Sequence, residues 1–198
     1  MRRAVVLALD FDRTLTVGDT LHAVAAVAAS RQPTPSRFPW CASKYAAEYA
    51  AFEAKWQPSF PRPPSARPAF PRLLNAYVES LRRVEERSLH RIAVNGVLAR
   101  ASRADFAAAG RRIELQPGAA DAVNGFLRDP NFHVCVVSAN WSRDFIRGAL
   151  EAAGVGLDGH PPPIFSNDPE FSPDTGLSTG TIWPEVVVAS DKAAALAR

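Results

Sequence analysis

Asp10 and Asp12 are the residues of this chain whose type and spacing most directly suggest chemistry. They follow Val5-Val6-Leu7-Ala8-Leu9, a continuous apolar run that predicts a strand buried on both faces of a parallel sheet. On an extended chain residues two apart face the same way, so both carboxylates project together while Phe11 turns to the other side. Carboxylates sharing a pocket repel unless a cation or a shared proton relieves them. A hard divalent ion such as Mg²⁺, with a few oxygen ligands and several waters, would do so. An ordinary strand-ending turn is the other reading of the same residues.

The elements around the pair are legible from periodicity. Asp19-Thr20 offers an N-cap for a helix through Leu21, Val24, Val27 and Ala28. From 32 to 71 prolines such as Pro33, Pro39, Pro58 and Pro64 punctuate the chain, which reads as an insertion and not as core sheet. Within it Tyr45, Tyr49, Phe52 and Trp56 recur at helical spacing and predict a small helical core, with the lining of a substrate pocket as the alternative. Residues 58–71 predict an extended linker, because each proline removes a backbone donor. Helical patterns follow through Leu73, Tyr77, Leu81 and Val84, then Leu89, Ile92 and Val97, and over 105–112. The arginines of 82–112 alternate with Glu85, Glu86 and Asp105, as on a solvated helical face.

An α/β rhythm then returns. Pro117 is placed as the first residue of a helix facing inward with Val123, Phe126 and Leu127. Asp129-Pro130-Asn131 makes a turn, 132–137 a second apolar strand, and Ser138-Ala139-Asn140 leads into a helix with Phe145, Ile146 and Leu150 inward and Gly154 as its stop. Ile164-Phe165 reads as a short third strand, Asp174-Thr175-Gly176 as a turn between two extended pieces, and Asp191-Lys192 opens a last helical turn. The whole predicts an α/β fold: a doubly wound, mostly parallel, Rossmann-like sheet with a helical cap inserted after the first strand. The core domain is expected over 1–30 and 113–198, and the cap with its proline-rich linker over 31–112. Ligands of such sheets gather at the carboxyl ends of the strands, where Asp10, Asp12 and Ser138 stand.

Asp10-Phe11-Asp12-Arg13-Thr14, placed after an N-terminal strand, resembles the Asp-x-Asp-Gly-Thr signature of the haloacid dehalogenase-like superfamily of phosphohydrolases. Val136-Val137-Ser138 resembles its second motif and Lys192 its third, and the order of the motifs is similar to the phosphoserine-phosphatase-like branch. The resemblance covers about 4–30 and 113–198. It implies a Mg²⁺-dependent hydrolase of small phosphorylated metabolites working through an aspartyl-phosphate. Asp10 would be the nucleophile and Asp12 the acid and base, Ser138 would bind phosphate, and Lys192 would bind it and neutralise charge. Asn140 stands where it would bind the phosphate or orient its loop, with a cap of the following helix as the other reading. Mg²⁺ would rest on Asp10 and Asp12.

Two departures stand out. Arg13 occupies the usual glycine position, and no acidic residue follows Asp191 to supply the fourth motif, which suggests a truncated or degenerate chain with weakened metal binding and an exposed sheet edge. That absence supports the alternative of a non-catalytic phosphate- or metal-binding protein on the same scaffold. Dehalogenation ranks lower because of Asp12.

Composition narrows the remaining classes. With 198 residues, 47% hydrophobic and 22% charged, the chain can bury a full core. A formal charge of +3 is too mild for a nucleic-acid binder, and no apolar run reaches the length of a membrane span. Cys41 and Cys135 form no disulfide framework and fit a reducing cytoplasm. His22, His90, His133 and His160 lack zinc-ligand spacing.

Overall fold

The computed structural model describes residues 5–57, 70–157 and 159–197. Most of the expected proline-rich linker therefore lies outside the described residues. Three parallel strands, β1 (Val5–Leu9), β2 (Phe132–Ser138) and β3 (Ile164–Ser166), form a sheet in that spatial order. Leu9 pairs with Val136, two residues before β2 ends, and Ser138 pairs with Ser166, so β2 and β3 end together.

Between β1 and β2 the chain runs through α1 (Leu21–Ala29), α2 (Phe38–Trp56), α3 (Phe70–Val94), α4 (Arg103–Gly110) and α5 (Ala119–Arg128). After β2 come α6 (Arg143–Ala152), β3, the antiparallel pair β4 (Asp168–Phe171) and β5 (Ser178–Trp183), and α7 (Ala189–Ala195). The parallel sheet with helical crossovers is the expected Rossmann-like architecture, with α2 and α3 inserted between β1 and β2.

Period-two alternation divides β2 between two cores. Val134 and Val136 face the main cluster with Phe11, Phe106, Phe145 and Ile146, while Cys135 and Val137 face Val186 and Ala195. β1 departs from expectation. Leu7 and Leu9 pack inward, but Val5 is 51% and Val6 56% exposed. The helix on the far face, α7, packs on β2, and β1 pairs with β2 alone among the described residues, which leaves its outer face and edge uncovered.

The insertion contains a packed helical pair. Tyr49, Phe52 and Trp56 of α2 stack in series, and Phe52 and Trp56 also meet Tyr77 of α3 at ring separations of 4.9 and 5.8 Å. The aromatic periodicity thus builds a small helical core, with Tyr45 turned to another use. By contrast α4 packs on α6 and α1. Its approach to α6 is close enough to require glycine: a Cβ at Gly110 would stand 2.0 Å from the carbonyl oxygen of Phe145, and one at Gly148 2.2 Å from that of Ala107. Ser102 and Asp105 start α4 with a reciprocal capping box. Pro117 lies just outside α5, whose N-cap is Gly118 at φ +78°, a left-handed conformation that suits glycine.

Candidate active site

The loop after β1 is built around Phe11. Its ring is fully buried in the main core, and its carbonyl accepts the N–H groups of Thr14, Leu15 and Thr16 at 2.9–3.3 Å. With Phe11 anchored inward, Asp10 and Asp12 stay at the surface of the strand end, as alternation requires. Arg13 adopts φ +59°, in the left-handed region. Its N–H is held by the Thr16 hydroxyl at 3.1 Å and the Gly18 carbonyl at 3.3 Å, so the turn keeps a shape natural to glycine despite the side chain. That side chain points to solvent, 3.7 Å from Asp19.

Asp10 meets the other end of the chain. Its Oδ2 lies 2.6 Å from the Lys192 ammonium, while Oδ1 accepts the Phe11 N–H at 2.9 Å. Both side chains remain partly open, 43% for Asp10 and 31% for Lys192, so the pair is accessible to a ligand. Lys192 is carried by α7, whose entry is fixed by Asp191. That carboxylate accepts the N–H groups of Val187 and Val188 at 2.9 and 3.0 Å and a two-pronged bond from Arg82 of α3. Burial pushes Asp191 upward, but Arg82 and the two N–H groups outweigh it and hold the carboxyl below its ordinary range.

Asp12 is held by residues from two further elements. Oδ1 accepts the N–H and hydroxyl of Thr20 at 2.8 and 2.6 Å, and Oδ2 accepts the Asn140 amide at 3.2 Å. Asn140 also donates to the Thr20 hydroxyl at 2.9 Å, which closes the network. Thr20, which the sequence marks as a helix cap, therefore orients a carboxylate and makes no side-chain capping bond. The cap of α6 belongs to Ser142, whose hydroxyl accepts the Phe145 N–H.

Ser138 ends β2 with 1% exposure, and its hydroxyl accepts the Asn140 N–H at 3.1 Å. Asn167, after β3, ties the remaining loops. Its amide donates to the carbonyls of Ala139 and Val186, and its oxygen accepts the N–H groups of Glu185 and Val186, all between 2.8 and 3.0 Å. Thr20, Asn167 and Arg82 carry no local signal of these roles, because their partners lie outside their own elements, up to 109 residues away for Arg82.

The donors available to a metal can be tested against the Mg²⁺ expected on Asp10 and Asp12. Both Asp12 carboxylate oxygens are engaged by Thr20 and Asn140, and Asp10 is engaged by Lys192. Asp168 instead accepts the Arg143 N–H and pairs with Arg103, and Glu170 accepts the Thr179 hydroxyl. Among the described residues no group of three or more His, Cys, Asp or Glu side chains could hold a metal ion. A hard cation requires an oxygen-rich shell, and these side chains do not furnish one.

A cavity of about 350 Å³ opens between the α2–α3 pair and the strand-end loops, touching Arg13, Ala139 and Asn167. Among the described residues no helix is long and apolar enough to cross a membrane.

Solved structures similar to this chain include phosphoserine phosphatases. One structure, titled a phospho-aspartyl intermediate analogue, is 17% identical, with a TM-score of 0.42, covering 94% of this chain and 66% of that one. A phosphoserine phosphatase in apo form is also 17% identical, with a TM-score of 0.43 and coverage of 94% and 64%. A protein of unknown function from Bordetella pertussis Tohama I is 22% identical, with a TM-score of 0.45 and coverage of 92% and 67%. The chain thus spans about two thirds of the length of these structures. No curated protein sequence matches it. The model of the haloacid dehalogenase-like hydrolase family matches residues 7–198, nearly the whole chain, and the protein belongs to that family.

Proposed function

We propose that the protein hydrolyses a small phosphomonoester through a phosphorylated Asp10. The contact of 2.6 Å between Lys192 and a solvent-accessible Asp10 carries this reading. A carboxylate oxygen of Asp10 attacks phosphorus, forming a P–O bond to the enzyme as the bond to the alcohol breaks. The leaving oxygen takes a proton from Asp12, whose Oδ2 is the more loosely held oxygen. Asp12, now ionised, removes a proton from water, whose oxygen attacks the same phosphorus and frees Asp10 and inorganic phosphate.

Lys192 screens the charge of nucleophile and phosphoryl group, and Ser138 donates its hydroxyl proton to a non-bridging oxygen. Donors fixed in place before reaction usually supply the largest share of barrier lowering. The Asn140 amide is engaged by Asp12 and Thr20, which supports a role in orienting Asp12 in place of the direct phosphate contact expected from sequence. The resemblance implies Mg²⁺ as cofactor. Asp10 and the Asp12 main chain would be its protein ligands, and the donor set around them does not complete its shell.

That incomplete donor set favours a second reading, in which the scaffold binds phosphate without turnover. Hydrolysis of a generic aryl phosphate by wild type and Asp10→Asn separates the two. The phosphatase reading expects turnover in wild type and its loss in the variant; phosphate binding without turnover across a broad phosphomonoester panel supports the second.

A further inference from the structure

The cavity beside the strand ends has a chemical bias that the proposed reaction does not use. Glu85 of α3 reaches into it and accepts the Tyr45 hydroxyl of α2 at 2.7 Å. Among the described residues no lysine or arginine lies within ion-pair distance of Glu85. Burial pushes this carboxyl above its ordinary range, with the Tyr45 bond opposing. A carboxylate in a largely apolar cavity is costly until a cation joins it.

The walls offer surfaces that attract a cation. Phe38 lies edge-to-face with His22 at 4.9 Å and with Trp141 at 6.1 Å, and all three line the same cavity. Aromatic faces draw ammonium groups, more strongly where water is excluded. The one permanent cation of the lining, Arg13, has a side chain 75% exposed beside Asp19. A substrate bearing its own carboxylate would find no buried guanidinium or ammonium among these residues and would meet Glu85 instead.

We propose that the cavity receives the cationic end of a small phosphorylated amino alcohol lacking a carboxylate, with Glu85 as the specificity-determining carboxylate, Tyr45 holding it, and Phe38 and Trp141 as aromatic walls. The assignment deepens the phosphatase reading and rests on it for the placement of the phosphate. The volume of about 350 Å³ suits so small a ligand.

Two measurements on the full chain test it. The first compares kcat/KM for phosphoethanolamine, phosphocholine, glycerol phosphate and phosphoserine. The better amino-alcohol phosphate is expected to exceed both others by about tenfold or more, and Glu85→Gln to lower that ratio by about 10- to 100-fold, mainly through KM. Tyr45→Phe, which keeps the ring, lowers it by about three- to tenfold and serves if the first variant folds poorly.

The second follows choline binding by calorimetry, which needs no turnover. Binding that weakens in Glu85→Gln supports the assignment even if every phosphate ester is inert, an outcome that would defeat the phosphatase reading alone. Absence of choline binding, preference for glycerol phosphate or phosphoserine, or an unchanged ratio in Glu85→Gln overturns the assignment while leaving phosphatase activity intact.

Discussion

Arg82 of the cap helix α3 grips Asp191 of α7 through two N–H···O bonds of 3.0 and 2.8 Å, one residue before the lysine that contacts Asp10. The Ser190 hydroxyl accepts from the same guanidinium at 3.1 Å and donates to Glu79, so α3 and α7 are tied together. Under the proposed hydrolysis Arg82 is a positioning residue acting through Asp191. Arg82→Ala is expected to lower kcat by about tenfold with a smaller change in KM, and Arg82→Lys to restore part of it, because an ammonium cannot reproduce a two-pronged bond.

The same latch is sensitive to acid. Asp191 has its folded pKa depressed, so its contribution to stability is fully present above the ordinary aspartate pKa of about 4 and is lost as pH falls through the lowered folded value. Thermal unfolding of wild type and Arg82→Ala should therefore differ at pH 7 and converge as pH falls through the lowered folded value. A difference that persists unchanged into strong acid would contradict the assigned role of the pair.

Arg13 holds a left-handed turn that costs a non-glycine residue about 1–2 kcal/mol, against a glycine entropy penalty of about 0.5–1 kcal/mol. Its exposed contact with Asp19 at 3.7 Å contributes little. Arg13→Gly is expected to raise stability by about 0.5–1 kcal/mol in denaturant unfolding, while Arg13→Ala leaves it near wild type.

Much of this arrangement is legible in the sequence, for identifiable reasons. The strands announce themselves because continuous apolar runs have few other destinations, and Asp10 and Asp12, both half-buried, are set apart from the buried Phe11 at a strand end. Lys192 reaches Asp10 because α7 returns to the sheet, and Asn140 reaches Asp12 because β1 and β2 run side by side. What hides is long-range. The exposed arginine face is a sound reading for Arg87, paired with Glu48 at 3.4 Å and 57% exposed, yet the same pattern conceals Arg82, whose partner is 109 residues away. Thr20 looks like a cap because its neighbour begins a helix, and nothing local shows that Asp12 has claimed its hydroxyl. The apolar run of β1 suggests burial on both faces, but covering the second face depends on where distant helices fall.

The α4–α6 contact is fixed by backbone proximity. A methyl group at Gly148 would meet the Ala107 main chain and could not be relieved by a side-chain rotation, so Gly148→Ala should cost about 3 kcal/mol or more, read as a fall in denaturation midpoint. Gly125→Ala, on α5 with nothing within 4 Å, is the control and should be neutral or stabilising.

The donor set around Asp10 and Asp12 bears on metal dependence. A complete site with Mg²⁺ at a hundredfold excess over its dissociation constant would stabilise the fold by about 2.7 kcal/mol. Differential scanning calorimetry with Mg²⁺ or with a chelator should show less than about 1 kcal/mol between the two conditions. A larger shift would show that ligands beyond those identified complete the shell.

The proposed hydrolysis requires that Asp10 become phosphorylated. Acid quenching of a single turnover with a phosphoryl-labelled amino-alcohol or aryl phosphate, followed by peptide mass spectrometry, reads this directly. The account predicts label on the peptide bearing Asp10, and in Asp10→Asn both its disappearance and a fall in turnover of about 10³-fold or more. Steady turnover without label at Asp10, or an Asp10→Asn protein as active as wild type, would contradict it.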